Sequence, residues 1–337
     1  MAVTFTCLWQ PVACQRLPLL FRSAARRGFC SGNGLRTDYG FIGLGQMGFP
    51  MAVNLGRHTP DADKLHVYDV NEKALDSIST KVGEKLRVEE SVHEVAKKSD
   101  VIITALPEPS HVKSVFEQML HPRLPSKQRL FIDCSTIDPM TSQEVANEVD
   151  STGSGRFVDA PMSGGVVGAT NKTLTFMIGS APELVEQATA VLSMMGKRVV
   201  HLGPPTSGLK AKLANNYLLA LNNIATAEAL NLGVRWGLDA KKLSEMINTA
   251  TGKCWPSDVN NPVPSVDPRA PASQDYRGGF GTKLMLKDLT LALKAAEEAN
   301  VAPLLGGHAK DIYTAVEATD GCQNRDFSVV YKYLELR

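Results

Sequence analysis

The sequence predicts an α/β domain followed by an all-α domain, and three observations carry that expectation. From Asp38 to about Val200, short apolar runs such as YGFIGLG, KLHVYDV, DVIITALP and RLFIDCS alternate with segments of helical spacing, among them MTSQEVANEVD. Such alternation predicts a parallel sheet with crossover helices. Beyond Gly208 the apolar spacing settles near three and four, from Leu209 to about Val234, and strand-like runs cease. A chain of 337 residues with 43% hydrophobic and 21% charged content is long enough for two globular domains, at roughly 150 residues each. The expected division is residues 1–36, 37–200 and 201–337. A formal net charge of +1 argues against a nucleic-acid surface. No run of about 18 apolar residues offers a membrane span, so small molecules are the expected partners.

Residues 1–36 stand apart in composition. They hold Arg16, Arg22, Arg26, Arg27 and Arg36, with no Asp, Glu or Lys before Asp38, which is the makeup of a mitochondrial presequence. A secretory signal would place its charge ahead of an apolar core, whereas most of these arginines follow the Leu19–Phe21 cluster. Arg27-Gly28-Phe29 ahead of Cys30-Ser31 resembles a matrix-peptidase site, so cleavage is expected near 29–36. Cleavage after Phe29 removes four arginines and takes the formal charge from +1 to −3. A basic tail without a targeting role is the other reading of this composition. The cysteines agree with a reducing compartment: Cys7, Cys14 and Cys30 lie in or beside this segment, and Cys134, Cys254 and Cys322 are far apart without a CxxC pair. The seven histidines show no metal-ligand spacing, and a metal-free mechanism is expected.

The next element is the run GFIGLGQMGFPMAVNL. Gly43, Gly45 and Gly48 form GxGxxG directly after an apolar strand and at the start of a helix. The first glycine permits a tight turn, the second lets a pyrophosphate approach the backbone, and the third allows helix and strand to pack closely. Leu44, Gln46 and Met47 complete the loop whose amides would face the anion. Glycines alone also fit an ordinary tight connection. Asp69 adds weight, because it ends the second strand 21 residues after Gly48. There its carboxylate can accept from ribose hydroxyls and repel a 2′-phosphate, which favours NAD over NADP. This is a Rossmann-type dinucleotide-binding domain by expectation.

Later strands should contribute from their C-terminal ends, where an open sheet binds ligands. ALPEPSH and DCSTID sit at such ends, making Leu106, Pro107, His111 and Thr136 candidate cofactor contacts. Pro107 is equally readable as a strand stop, and Thr136 as the cap of the helix that begins after Pro139. TLTFMIGS and KRVVHLG bracket the helical APELVEQATAVLSMM and extend the same domain. In GPPTSGLKAKLANN, Lys212 and Asn216 are spaced i,i+4 and share one helical face. Lys210 and Asn215 point roughly 160° and 60° away from Lys212, at ~100° per residue. A lysine is ordinarily a solvated charge, but Leu213, Ala214, Leu218 and Leu219 make this helix largely apolar. From Thr251 to Thr282 five prolines and Gly278-Gly279 exclude regular helix, so an ordered loop anchored by Trp255, Tyr276 and Phe280 is expected. Helices resume at about Lys283.

With these residues in view, the stretch from Asp38 to the C-terminus resembles the 3-hydroxyisobutyrate dehydrogenases, within the wider β-hydroxyacid dehydrogenases. The resemblance rests on the glycine motif at 40–55, DAPMSGG at 159–165, the GxxxxGxxxKxxxN segment at 203–216, GGFGTKLMLKDL at 278–289 and the loop GKCWPSDVNNPVPSV. By matching positions it implies that Lys212 is the catalytic lysine and that Asn216 orients the substrate. It implies that Ser163, Gly164 and Gly165 hold the substrate carboxylate, and that Lys287 approaches nicotinamide and substrate. A Ser-Gly-Gly turn suits an anion, since its backbone amides can converge and glycine allows close approach. Met162 stands where the family usually has valine, and Thr206 and Lys172 where it usually has glycine. A side chain at the last two resists positive φ.

The resemblance further implies NAD-dependent oxidation of 3-hydroxyisobutyrate to (S)-methylmalonate semialdehyde in valine catabolism, with Lys212 as general acid/base, by a homodimer or homotetramer. Two other readings stay open: a related enzyme acting on glyoxylate-type or tartronate semialdehydes or on 6-phosphogluconate, and a non-catalytic NAD-binding scaffold. Extra cationic ligands and a longer helical tail, expected for a phosphorylated sugar acid, are not evident.

Overall fold

The computed structural model describes residues 36–337, so all but the last residue of the expected transit peptide lies outside the described residues. Six parallel strands form the main sheet: β1 (Tyr39–Ile42), β2 (Leu65–Tyr68), β3 (Leu86–Val88), β4 (Val101–Thr104), β5 (Arg129–Asp133) and β6 (Gly155–Asp159). Their order is β3-β2-β1-β4-β5-β6, which reverses direction between β1 and β4 and opens a crevice at their C-terminal ends. The crossover helices are α1 (Gly48–His58), α2 (Glu72–Val82), α3 (Val92–Lys98), α4 (Pro109–Leu120) and α5 (Pro139–Thr152). Because helices cover both faces, β1, β4 and β5 are buried at every position, and their unbroken apolar runs follow from that.

The next strands depart from a simple extension of this sheet. β7 (Met162–Ser163), β8 (Leu174–Ile178) and β9 (Gly196–His201), with α6 (Gly165–Thr170) and α7 (Val185–Leu192), make a separate three-stranded sheet. β7 runs antiparallel to β8, and β8 parallel to β9. An Asp159–Gly179 bridge ties this sheet to the end of β6. Apolar runs announce strands but not which partner each takes, so this second sheet was not legible in the pattern.

α8 (Ser207–Arg235) is a single helix of 29 residues, about 44 Å long at 1.5 Å per residue. Its first turns pack on the sheet side, where Leu209 joins the core of Phe116, Phe131 and Phe157. Its middle packs in the helical core, where Ala220, Ile224, Ala227 and Leu230 meet Tyr313, Phe327 and Tyr331. Of the residues that make this helix read as largely apolar, Leu218 and Ala214 are exposed. The helices that complete this region are α9 (Ala240–Thr249), α10 (Trp255–Asp258), α11 (Thr282–Glu298), α12 (Gly306–Glu317) and α13 (Val330–Glu335). None among the described residues is long and apolar enough to cross a membrane.

The proline-rich loop is ordered, but it contains short helical turns that the proline count seemed to exclude. Pro256 and Pro271 each open one, α10 and a 3₁₀ turn at Pro271–Gln274, because a first-turn proline lacks only an N–H that would be unbonded anyway. Two of the three expected anchors hold by packing on Phe327: Trp255 stacks at 6.4 Å between centroids and Phe280 meets it edge-on at 6.0 Å. Tyr276 is buried and donates to the Pro262 carbonyl at 3.0 Å.

The two glycine departures matter structurally. Thr206 sits at φ +74° as the N-cap of α8, and Lys172 at φ +58°. A β-branched residue in the left-handed region costs roughly 1–2 kcal/mol, partly offset because glycine gains more freedom when unfolded. Thr206→Gly is therefore expected to stabilise the chain by roughly 0.5–1 kcal/mol, read as a higher midpoint in urea unfolding at unchanged slope. A lower midpoint would show that the threonine side chain contributes more than its backbone costs.

Candidate active site

The crevice fits a dinucleotide. A Cβ on Gly43 (φ +95°) would lie 2.4 Å from the Ala105 carbonyl oxygen, and one on Gly48 would lie within 1.9 Å of the Gly43 oxygen. Only glycine lets β1, β4 and α1 meet this closely. At Gly45 nothing lies within 4 Å, which leaves that position open to an approaching phosphate. No side chain caps α1 behind Met47; in its first turn Phe49 donates to the Gly45 carbonyl and Pro50 has no N–H, which leaves the Gly48 amide for an anion. An open cleft of about 670 Å³ adjoins the loop, lined by Gly45, Gln46, Asn54, Asn71 and the cations Arg57 and Lys81. Asp69 is half-buried at the end of β2 and has a second duty: Oδ2 accepts from the Leu44 amide and Oδ1 from the Asn71 amide, the latter at 2.7 Å. Its carboxylate thus holds the glycine loop.

The strand ends behave unequally. Thr136 does not cap α5; Asp138 does, accepting from the Thr141 amide at 3.0 Å. The carbonyls of Pro107 and Thr136 instead accept from the Lys287 ammonium at 2.7 and 2.9 Å. That pair of bonds carries α11 across the ends of β4 and β5. The Leu106 amide donates to Ser135 Oγ at 2.9 Å. His111 lies exposed on the first turn of α4, and only its backbone N–H is engaged, with the Glu108 carbonyl; nothing in its surroundings distinguishes it as a ligand.

Over the strand ends stands a cluster drawn from α8, α11 and β7. Lys212 is 8% exposed and its Nζ donates to the Met162 carbonyl at 2.8 Å, immediately before Ser163-Gly164-Gly165. Gly164 and Gly165 have φ of +134° and +62° and are exposed, with Ser163 half-buried beside them. Asn216, one turn beyond Lys212, is 2% exposed and donates to Asp288 Oδ2 at 2.6 Å. Asn215 supports it, donating to Asn216 Oδ1 at 3.1 Å. Lys210 is exposed, as its helical phase predicted.

Asp288 is the member that residue-by-residue reading missed. It is 3% exposed and adjoins Lys287 in the chain. An aspartate within the apolar run LMLKDLTLAL was the available signal. Burial pushes the Lys212 ammonium below its ordinary pKa, Asp288 opposes that, and Lys287 adds to it. Burial pushes the Asp288 carboxyl up, opposed first by Lys212 and then by Lys287. The Lys212 and Asp288 charges therefore titrate as a coupled pair.

A dinucleotide crevice facing a buried amine beside an anion-sized turn is the arrangement of a nicotinamide-dependent dehydrogenase. Comparison with known proteins narrows the class. Residues 38–203 match the family model described as the NAD binding domain of 6-phosphogluconate dehydrogenase. Residues 206–334 match the one described as NAD-binding of NADP-dependent 3-hydroxyisobutyrate dehydrogenase. The chain is 42% identical over 298 residues to the mitochondrial 3-hydroxyisobutyrate dehydrogenase of Drosophila melanogaster, covering 88% of this chain and 89% of the relative. It is 44% identical over 302 residues to that of Mus musculus, covering 89% and 87%. A solved structure of Mycobacterium tuberculosis 3-hydroxyisobutyrate dehydrogenase with L-serine superposes with a TM-score of 0.81 at 37% identity, covering 89% of this chain and 99% of that one. The chain belongs to the 3-hydroxyisobutyrate dehydrogenase family and has NAD as its cofactor.

Proposed function

We propose that this chain oxidises 3-hydroxyisobutyrate to (S)-methylmalonate semialdehyde with NAD, as a step of valine catabolism in the mitochondrial matrix. The observation that carries the proposal is the buried Lys212 amine, held by the Met162 carbonyl next to the Ser163-Gly164-Gly165 turn. That turn seats the substrate carboxylate on backbone amides. Lys212 takes the proton of the C3 hydroxyl and Asn216 orients that hydroxyl. Bound NAD supplies the hydride acceptor. Lys287 reaches the same space while its ammonium grips the two strand-end carbonyls. Residues 37–200 supply the cofactor site, and 201–337 most of the groups that face the substrate.

NADH formation on addition of racemic 3-hydroxyisobutyrate tests the reading, and a scaffold would give none. L-Serine, the ligand named with the M. tuberculosis relative, belongs in the same assay as a second 3-hydroxy acid. Fusion of residues 1–36 to a fluorescent protein tests the compartment; a cytosolic signal would refute the targeting role.

Asp69 sets cofactor choice in this proposal. A 2′-phosphate placed near its carboxylate meets repulsion on the order of 1–4 kcal/mol at contact distance, so NAD is expected to outperform NADP by ~10–10³-fold in kcat/KM. Asp69→Asn keeps an acceptor for the Leu44 amide and removes the charge, and should narrow that gap. Equal use of both cofactors by the wild-type enzyme would defeat the assignment.

A further inference from the structure

The ends of β5 and β6 set two carboxylates side by side. Asp133 and Asp159 are register partners in that parallel pair, and they are 1% and 0% exposed. Every hydrogen bond their side chains accept comes from a hydroxyl or a backbone N–H. Asp159 is accounted for by the fold, because its two oxygens take the Thr206 and Leu209 amides at 2.7 and 2.9 Å, at the start of α8. Asp133 is not accounted for in that way. Its Oδ1 accepts from Thr104 Oγ1 at 2.8 Å, from Ser135 Oγ at 2.5 Å and from the Ser135 amide at 3.1 Å, while Oδ2 is buried without a partner.

Those bonds lead outward to the site. Ser135 Oγ also accepts from the Leu106 amide at 2.9 Å, so one hydroxyl joins the loop after β4 to the loop after β5. The next residue along each loop, Pro107 and Thr136, supplies a carbonyl to the Lys287 ammonium.

We propose that Asp133 is a positioning residue of the active site: through Ser135 and Thr104 it locks the two strand-end loops at the spacing that lets Pro107 and Thr136 hold Lys287 against the crevice. The role of Lys287 rests on the dehydrogenase reading above; the geometry of the lock does not. Burial pushes the Asp133 carboxyl up, and the Asp159 carboxyl to about 6. Adjacent buried carboxylates resist ionising together.

The dissociation constant of NADH, followed by its fluorescence with the mature enzyme, reads the two loops independently of the substrate. Asp133→Ala and Ser135→Ala should each weaken NADH ~10-fold, the scale of loss when a ligand-bearing loop shifts by a fraction of an ångström. Asp133→Asn, which keeps the Oδ1 acceptor, should stay within about threefold of wild type. In a Lys287→Ala background Ser135→Ala should cost under about twofold more, because the two changes break one lock. The proposal fails if Ser135→Ala binds NADH like wild type, if Asp133→Asn is as damaging as Asp133→Ala, or if the Ser135 and Lys287 losses multiply. Ser135→Ala removes a single oxygen, so it decides the matter even where Asp133→Ala does not fold. A wild-type enzyme that binds NADH but leaves 3-hydroxyisobutyrate unoxidised would refute the substrate and leave these comparisons readable.

Discussion

Lys212→Ala is expected to lower kcat by ~10²–10⁴-fold, the usual worth of a positioned acid–base group, while NADH binding changes little. The amine is buried against the Met162 carbonyl at the mouth of the Ser163-Gly164-Gly165 turn, whereas the crevice loop at 43–48 lies on other elements. Lys212→Arg should not restore the rate, since a guanidinium keeps its proton at working pH. Lys210→Ala should stay near wild type, because Lys210 is exposed on the other side of α8. Steady-state kinetics with the three variants decide the matter. Equal losses at 210 and 212, or a normal rate from Lys212→Ala, would remove Lys212 from its role.

Asp288→Asn should move the pH dependence in a signed way. The Lys212 ammonium lies below its ordinary pKa, through burial, with Asp288 pulling it back up. Oxidation needs the neutral amine, so its rate should climb with pH through the Lys212 pKa and then level. The reverse reduction needs the ammonium and should decline over the same range. Removing the Asp288 charge lowers the Lys212 pKa further, and the rising limb of oxidation should shift to more acid pH. Asparagine leaves an acceptor for Asn216 Nδ2. Asp288→Ala leaves the buried Asn216 amide without its acceptor, and should cost about 1–3 kcal/mol of stability. A limb that stays in place, or moves to alkaline pH, in Asp288→Asn would show that the carboxylate does not act on Lys212.

The sheet, its glycine loop and the long helix were legible because each has a local cause. Buried parallel strands read as apolar runs, a close helix–strand approach demands glycine, and an i,i+4 pair shares a face wherever the helix goes. Lys212 and Asn216 could be paired on that basis. What could not be read was tertiary. Nothing in LMLKDLTLAL says that Asp288 will meet Asn216 from another helix, or that Lys287 will bridge two strand ends. The strands at 174–178 and 196–201 were visible as strands, yet their separate sheet depends on pairing, which apolar patterning does not encode.

α8 belongs to two cores at once, with Leu209 in one and Ala220, Ile224, Ala227 and Leu230 in the other. Its backbone hydrogen bonds run without a break between them. Melting either core strips packing from this shared helix and exposes part of the other, so the two halves are expected to lose structure together. Asp159 strengthens that link from the sheet side, where its carboxylate holds the first turn of the helix. A lesion at the end of β6 is thus expected to lower the heat resistance of the distant helices, which it reaches only through α8.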